Sequence, residues 1–264
     1  MFSLHDCPYQ INIADRETLY YPPTKNRAGN TKAPFDTKEI ISIQTDLVKT
    51  PTIFTSDLHS HSYRVFEHLD STLDLSIYDI YTIGDMSGEM IYGSDGDSTP
   101  LYQMIKSKCN HLYITQGNHD LPPPNISDLL QMENTDGSNC YLSDGEELVQ
   151  TLNGTVGCVH GIIAHSDKKK PYRKYVDLYN ALLQNILKKR PEFLFTHDTP
   201  ALSYTKQDKK HVEFIGKNSI FDLIKKYKCK VHVYGHCHHP NVMTYIDRTL
   251  FINADARIII LNPL

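Results

Sequence analysis

Short runs of β-branched and aromatic residues that end in polar clusters recur from Pro51 onward. The runs are PTIFTSDLHSH, YDIYTIGDMSG, HLYITQGNHD, GTVGCVHGIIAHS, PEFLFTHDTP and VHVYGHCHHP. Runs of this length and composition predict short buried strands. The polar clusters then lie at the strand ends, where side chains from different strands can meet.

Segments with helical periodicity separate several of these runs. KYVDLYNALLQNILKKR and SIFDLIKKYK place apolar residues at every third or fourth position, the spacing of an amphipathic helix. Alternating strands and helices predict βαβ units, whose ligands gather beyond the carboxyl ends of the strands. The last run, TLFINADARIIILNPL, predicts one or two closing strands without a site.

The first part of the chain has a different character. Its stretch YYPPTKNRAGNTKAPFD contains proline and glycine, which exclude a long helix or a central strand there. A chain of 264 residues is near the upper limit for one hydrophobic core. We therefore predict a catalytic domain over residues 49–264, with residues 1–48 as an extension packed on it.

Composition narrows the class of protein. With 40% hydrophobic and 22% charged residues, the chain has the composition of an ordinary globular protein. Its net charge of −4 gives no general attraction to nucleic acid or to an anionic membrane. No segment approaches the roughly 20 apolar residues that cross a bilayer, and scattered cysteines favour a reducing compartment. We expect a cytoplasmic protein without a membrane partner.

Metal-ligating side chains are concentrated in five of the polar clusters. They are Asp57 with His59, Asp85, Asn118 with His119, His197, and His236 with His238. Carboxylate, amide and imidazole donors without thiolate suit manganese, iron or zinc better than a closed structural zinc site. So many donors favour two adjacent ions, and a carboxylate such as Asp85 could bridge them.

Each of these residues alone has a plainer explanation. Asp57 and Asp85 could cap turns or helices, Asn118 could form a turn, and His197 could be a buried histidine without a ligand. Turns, however, have no reason to bring carboxylates and imidazoles together in this order. The joint occurrence therefore favours a metal site.

The order of the motifs DLH, GD, GNHD, THDTP and GHCHH resembles the calcineurin-like metallophosphoesterase superfamily, over Thr55 to Pro240. The resemblance implies a four-layer α/β/β/α sandwich of two mixed sheets, with metals at one sheet edge. It implies two divalent ions, with manganese favoured over iron or zinc. One ion would be bound by Asp57, His59, Asp85 and His238, and the other by Asp85, Asn118, His197 and His236.

The same resemblance implies a mechanism. A water or hydroxide between the metals would attack phosphorus. His119 would donate a proton or hydrogen bond to the leaving oxygen, with Asp120 as a candidate partner of its imidazole. His61 and His239 each lie within two residues of a proposed ligand and are weaker candidates for contact with phosphate.

The substrate is less well specified than the reaction. GDMSGEM lacks the Asp and Arg of the serine/threonine protein phosphatase branch, which disfavours that activity. We expect a phosphodiesterase or a nucleotide-directed phosphatase with a small phosphorylated substrate. Three alternatives stay open: a protein phosphatase, a non-catalytic scaffold of the same fold, and an enzyme acting on nucleic acid through the basic cluster Lys168 to Lys174.

Overall fold

A computed structural model describes residues 2–23, 35–86, 96–121, 127–164, 172–202, 217–237 and 240–264. Its strands are β1 (Phe2–Ser3), β2 (Ile11–Tyr21), β3 (Asp36–Thr45), β4 (Thr52–Ser56), β5 (Asp79–Ile83), β6 (His111–Thr115), β7 (Val149–Thr151), β8 (Gly154–Val159), β9 (Ile162–Ile163), β10 (Arg173–Lys174), β11 (Phe193–Thr196), β12 (Val231–Tyr234), β13 (Met243–Ile246), β14 (Thr249–Asn253) and β15 (Arg257–Pro263). Its α-helices are α1 (Ser62–Thr72), α2 (Thr99–Lys106), α3 (Ser127–Leu130), α4 (Val176–Lys188) and α5 (Asn218–Tyr227), and two 3₁₀ helices span His59–His61 and Leu75–Ile77.

The strands form two large mixed sheets. The six-stranded sheet has the order β2-β3-β15-β4-β5-β6, and the seven-stranded sheet has the order β1-β13-β14-β12-β11-β8-β7. Strands β4, β5 and β6 run parallel, as do β8, β11, β12 and β14. Antiparallel pairs join β15 to β4 and β13 to β14. The predicted class, a mixed α/β fold with two mixed sheets, is confirmed.

The facing sides of the two sheets share one hydrophobic cluster. It combines Phe54, Tyr81 and Tyr113 of the six-stranded sheet with Phe193 and Phe195 of the seven-stranded sheet. The Phe195 ring lies 5.7 Å from that of Phe54 and 5.1 Å from that of Tyr81, centroid to centroid. Burial of these large side chains fixes the position of one sheet relative to the other.

The helices bury their apolar faces on the outer sides of the sheets. Val65, Phe66 and Leu69 of α1 join a cluster with Ile53 and other residues of the six-stranded sheet. Helices α4 and α5 cover the other side of the seven-stranded sheet through a third cluster that includes Tyr179, Leu183, Ile220 and Ile224. Cluster membership therefore gives the order helix, sheet, sheet, helix.

Both ends of the chain contribute strands. Residues before position 49 supply β1 to the seven-stranded sheet and β2 and β3 to the six-stranded sheet. Strand β3 lies between β2 and β15 and is hydrogen-bonded to both. The closing run forms two strands, β14 and β15, which belong to different sheets. None of the helices in the described part of the chain combines the length and the hydrophobicity that a membrane span requires.

The inter-sheet cluster gives a stability prediction. Phe195 is 1% exposed, so Phe195→Ala should lower the free energy of unfolding by about 3–5 kcal/mol through lost burial and the cavity that remains. Leu152→Ala is the control, because Leu152 is 58% exposed and should change stability by no more than about 0.5 kcal/mol. Urea denaturation measures both, and equal effects would contradict the core described here.

Candidate metal centre

The predicted ligands follow the carboxyl ends of parallel strands. Asp57 comes directly after β4, Asp85 two residues after β5 and Asn118 three residues after β6, and these strands are neighbours. His197 follows β11 and His236 lies two residues after β12, which are neighbours in the other sheet. Because parallel strands end at one edge, the two sheets present both sets of side chains to the same place.

Four of the predicted ligands converge. One ligand atom from each of Asp57, Asp85, His197 and His236 lies within 4.8 Å of all the others. Asn118 joins them, since its Oδ1 is 3.2 Å from Nε2 of His197. Three of these side chains come from one sheet and two from the other, so the cluster bridges the sandwich.

The hydrogen bonds of His197 fix the tautomer of its imidazole. Its Nδ1 lies 2.8 Å from the carbonyl oxygen of Ile83, and a carbonyl can only accept, so Nδ1 carries a proton. Its Nε2 faces Oδ2 of Asp85 at 3.2 Å and Oδ1 of Asn118 at 3.2 Å. A neutral imidazole in this tautomer points a lone pair at these oxygens, which is repulsive unless a proton or a metal cation lies between them. A backbone-anchored histidine is also the usual form of a metal ligand.

The pKa values of Asp57, Asp85 and His197 also indicate a place for a cation. Burial and the neighbouring Asp255 raise the pKa of Asp57 to about 7. Burial also acts to raise the pKa of Asp85, but His197 outweighs it and holds the pKa far below its ordinary value. Burial lowers the pKa of His197, yet the Asp85 and Asp57 carboxylates bring it to about 10. A proton on His197 thus compensates buried negative charge that a metal cation would compensate instead.

His59 and His119 lie beside this cluster. Nε2 of His59 is 3.9 Å from Oδ1 of Asp57 and 4.0 Å from Oδ2 of Asp85. The His119 ring is 5.8 Å from the His59 ring, and the His119 backbone N–H donates to Oδ1 of Asp85 at 2.8 Å. His59 is thus within reach of the Asp57 and Asp85 carboxylates, and His119 stands at the rim.

Several residues of the centre have left-handed backbone conformations. The φ angles are 57° at Asp57, 48° at His59, 54° at Asp85 and 71° at His236. This region costs a residue with a Cβ about 1–2 kcal/mol. Such strain persists only where the surrounding structure determines it, and it concentrates at functional sites.

Two glycines allow the loops to approach each other. A Cβ on Gly84, where φ is 90°, would lie 2.4 Å from the backbone nitrogen of Gly117. A Cβ on Gly117 would lie 2.2 Å from Oδ1 of Asp85. The glycines of the GD and GNHD motifs therefore make room for the Asp85 carboxylate and for the turn that carries Asn118.

Neighbouring polar groups orient the Asp57 carboxylate. Its Oδ2 accepts from Oγ of Ser56 at 2.6 Å and from the backbone N–H of His236 at 2.9 Å. The second bond joins the carboxyl ends of β4 and β12, which belong to different sheets. The carboxylate is therefore held before any metal binds, which lowers the cost of ordering the site.

The Asp120 carboxylate accepts hydrogen bonds from the backbone around Asp85 and is not a predicted metal ligand. Its Oδ2 accepts from the N–H groups of Asp85 at 2.8 Å and Gly117 at 2.7 Å, and its Oδ1 accepts from the N–H of Met86 at 3.1 Å. Burial and the Asp85 charge raise the pKa of Asp120 to about 6. These contacts make it a positioning residue for the Asp85 turn, while its contact with the His119 imidazole stays a prediction.

The remaining candidates have different outcomes. His61 is 4% exposed, its Nε2 lies 3.1 Å from Oδ2 of Asp36, and its ring stacks on Tyr21 at 4.7 Å. The imidazole therefore anchors α1 to the first strands, and the weaker expectation of phosphate contact gains no support. His238, His239 and most of the basic cluster Lys168 to Lys174 lie outside the described residues.

Sequence reasoning missed a buried cation behind the centre. Lys38, on β3, is 6% exposed and its Nζ donates to the backbone oxygen of Asp57 at 2.8 Å. Burial lowers its pKa, against the opposing influence of Asp255 and Asp57. Lys38 lies 19 residues before Asp57, in a segment with an ordinary strand pattern. The only signal in the sequence is a lysine next to a run of apolar residues.

The chain is similar to a known protein family and to several solved structures. Residues 50–240 match the family described as calcineurin-like phosphoesterase. TT1561 of Thermus thermophilus is similar in structure, with a TM-score of 0.52 and 14% identity over 78% of this chain and 90% of that chain. Purple acid phosphatase PPD1 from yellow lupin (Lupinus luteus) seeds has a TM-score of 0.36 and 12% identity over 90% of this chain and 49% of that chain.

A search of curated proteins finds no significant match. At 14% identity, the likeness to TT1561 shows the fold alone. The family match is more informative, because it covers more than half of the chain and includes the residues that converge at the metal centre. The chain belongs to the calcineurin-like phosphoesterase family.

Proposed function

We propose that this protein hydrolyses small phosphoesters with two divalent metal ions, as a phosphodiesterase or a nucleotide-directed phosphatase. One observation carries the proposal: Nε2 of His197 faces two oxygen acceptors, Asp85 and Asn118, at 3.2 Å each. Buried acceptors that face one another need a proton or a cation between them, and a divalent cation would balance more of the buried negative charge. The donor set of carboxylates, imidazoles and an amide suits manganese, with iron or zinc as alternatives.

The ligands would divide between two metal ions. Nε2 of His59 lies 3.9 Å from Asp57 and 4.0 Å from Asp85, and these three side chains would hold one ion. Asn118, His197 and His236 would hold the other, and Asp85 would be shared. His238 would complete the first set by its place in the motif.

The side chains of the protein would bind the metal ions, orient the metal-binding carboxylates and donate a proton or hydrogen bond to the substrate. When bound, a pair of divalent ions supplies a nucleophile at neutral pH and neutralises phosphoryl oxygens. His119 stands beside His59 at the rim, where its imidazole can donate a proton or a hydrogen bond to the leaving oxygen. Asp120 and Ser56 keep the two carboxylates in position through the bonds described above.

The substrate proposal rests on sequence. The GD motif is followed by Met86 and Ser87 in place of the protein-phosphatase pattern, so a small phosphorylated compound, such as a nucleotide, is favoured over a phosphoprotein. A cytoplasmic location is likewise proposed from the absence of any long apolar segment in the sequence and from the dispersed cysteines.

Metal removal tests the reaction class. The wild-type protein should hydrolyse bis-p-nitrophenyl phosphate or p-nitrophenyl phosphate with manganese and lose activity with a chelator. Asp85→Asn should lower kcat/KM on the order of 10²-fold or more, because metal charge stabilisation contributes several kcal/mol. Metal content by mass spectrometry should approach two ions per chain. A wild type that binds metal and is as inactive as Asp85→Asn would favour the non-catalytic scaffold.

His119 gives a test of proton donation. His119→Ala should lower kcat on the order of 10²–10⁴-fold with a poor leaving group such as phenol. The loss should be much smaller with p-nitrophenol, which needs little protonation. Metal content should not change, since no metal ligand is removed. An equal loss with both leaving groups would contradict the role of general acid.

The close approach at Gly117 gives a third test. Gly117→Ala should weaken metal affinity by about 10–100-fold, as displacement of a supporting contact does, because the new Cβ would strike the Asp85 carboxylate. Gly137→Ala is the control: its Cβ would meet nothing within 4 Å, although φ there is 82°. Calorimetric titration with manganese compares the two. Equal affinities would show that the Asp85 turn does not depend on this contact.

A further inference from the structure

A concave site lies at the end of the seven-stranded sheet opposite the metal centre, where α4 and α5 end and β11 and β12 begin. Its volume is about 660 Å³, within the range of pockets that bind small molecules. The charged residues that line it are Lys188, Arg190, Glu192, Lys226, Lys228 and Lys230. We call it the cationic pocket.

Charge is strongly unbalanced in the cationic pocket. Among the described residues that line it, five side chains are cationic and one, Glu192, is anionic. Nζ of Lys230 lies 2.9 Å from Oε1 of Glu192, so one lysine is already compensated within the pocket. The chain as a whole carries a net charge of −4. A concentration of positive charge in an acidic protein creates a local field that attracts anions.

Helix stability accounts for only part of this charge. Lys188 is in the last turn of α4 and Lys226 in the last turn of α5, where cations offset the negative end of the helix dipole. Arg190, Lys228 and Lys230 lie beyond the last helical residues. Lys230 comes directly before β12, where no helix end requires it.

Two of the cations occupy positions that favour glycine. Arg190 and Lys228 both have φ of 57°, and Lys228 is the residue that ends α5 in the left-handed conformation. Glycine is the usual residue at such a helix end because it has no Cβ to crowd the backbone. The sequence places a long cationic side chain at both strained positions, beside the same cavity, and strain of this kind points to a function.

The cationic pocket is separate from the metal centre. His197 and His236 follow the carboxyl ends of β11 and β12, whereas the pocket lies at their amino ends. Each of these strands has four residues, so about 13 Å of strand separates the two sites. A ligand in the pocket therefore cannot touch the metal ligands at the same time unless it is extended.

The arginine and lysine side chains that line the cationic pocket favour a phosphate ligand. Arginine binds phosphate oxygens through two parallel hydrogen bonds, and lysine supplies point charges around them. Each phosphate group carries roughly one to two negative charges near neutral pH, so two or three phosphates would offset the excess of the pocket. We propose that the cationic pocket is an accessory binding site for a compact polyphosphate, such as the triphosphate group of a nucleotide.

Glycine substitution provides a test that spares the fold. Arg190→Gly with Lys228→Gly removes two cations and relieves two left-handed residues, so the double variant should melt at the wild-type temperature or above it. Its dissociation constant for inorganic tripolyphosphate should rise at least tenfold. Calorimetric titration should use the intact chain freed of divalent ions, because these ions bind tripolyphosphate themselves.

A control with the same loss of charge is available elsewhere. Lys106→Gln with Lys108→Gln also removes two cations, at the end of α2 on the other side of the sandwich, and should leave the dissociation constant within twofold of the wild type. Two results would overturn the proposal directly: no binding of tripolyphosphate at millimolar concentration, or an equal rise of the dissociation constant in both double variants. A third is that the wild type binds an acidic peptide more tightly than tripolyphosphate and that the glycine variant weakens the binding of both equally.

Discussion

The structure depends on the burial of two carboxylates from the six-stranded sheet against two histidines from the seven-stranded sheet. Asp57 and Asp85 are 3% and 1% exposed, and their oxygens converge with His197 and His236 within 4.8 Å. Buried charge of one sign is costly unless an opposite charge compensates it. His197 supplies such a charge when protonated. A divalent cation would supply more of it, and could use the lone pair that Nε2 directs at the oxygens.

The remainder of the fold makes this arrangement possible. The aromatic cluster around Phe54, Tyr81 and Phe195 sets the distance between the sheets, so that ligands from both reach one point. Beyond the strand ends, left-handed residues turn the chain sharply, and hydrogen bonds such as those of Asp120 to the turns at Asp85 and Gly117 hold it there. Packing between the sheets supplies the stability that offsets the strain of these turns.

Much of the centre could be predicted from the sequence, since the ligands belong to short local motifs. Each motif follows an apolar run, and neighbouring parallel strands bring such positions together. The supporting contacts could not be predicted in this way. Lys38 reaches Asp57 because β3 pairs with β15, a strand more than 200 residues further along the chain. The hydrogen-bonding role of Asp120 depends on turn geometry, and GNHD as a pattern does not distinguish it from a partner of His119.

The two ends of β11 and β12 illustrate how a parallel sheet separates charge. At the carboxyl ends the strands deliver His197 and His236 to a group of carboxylates, and at the amino ends the incoming segments carry Arg190 and Lys230. The connection between the strands includes α5, which runs antiparallel to them and brings its lysine-rich carboxyl end back to their amino ends. The cations of the pocket thus lie at the amino ends of β11 and β12, whereas the carboxylates meet the histidines at the carboxyl ends, about 13 Å away. A lysine bonded to the side-chain oxygens of Asp57 or Asp85 would compete with a metal for them. Lys38, the buried cation at the centre, donates to the backbone oxygen of Asp57 instead and leaves the carboxylate to a metal.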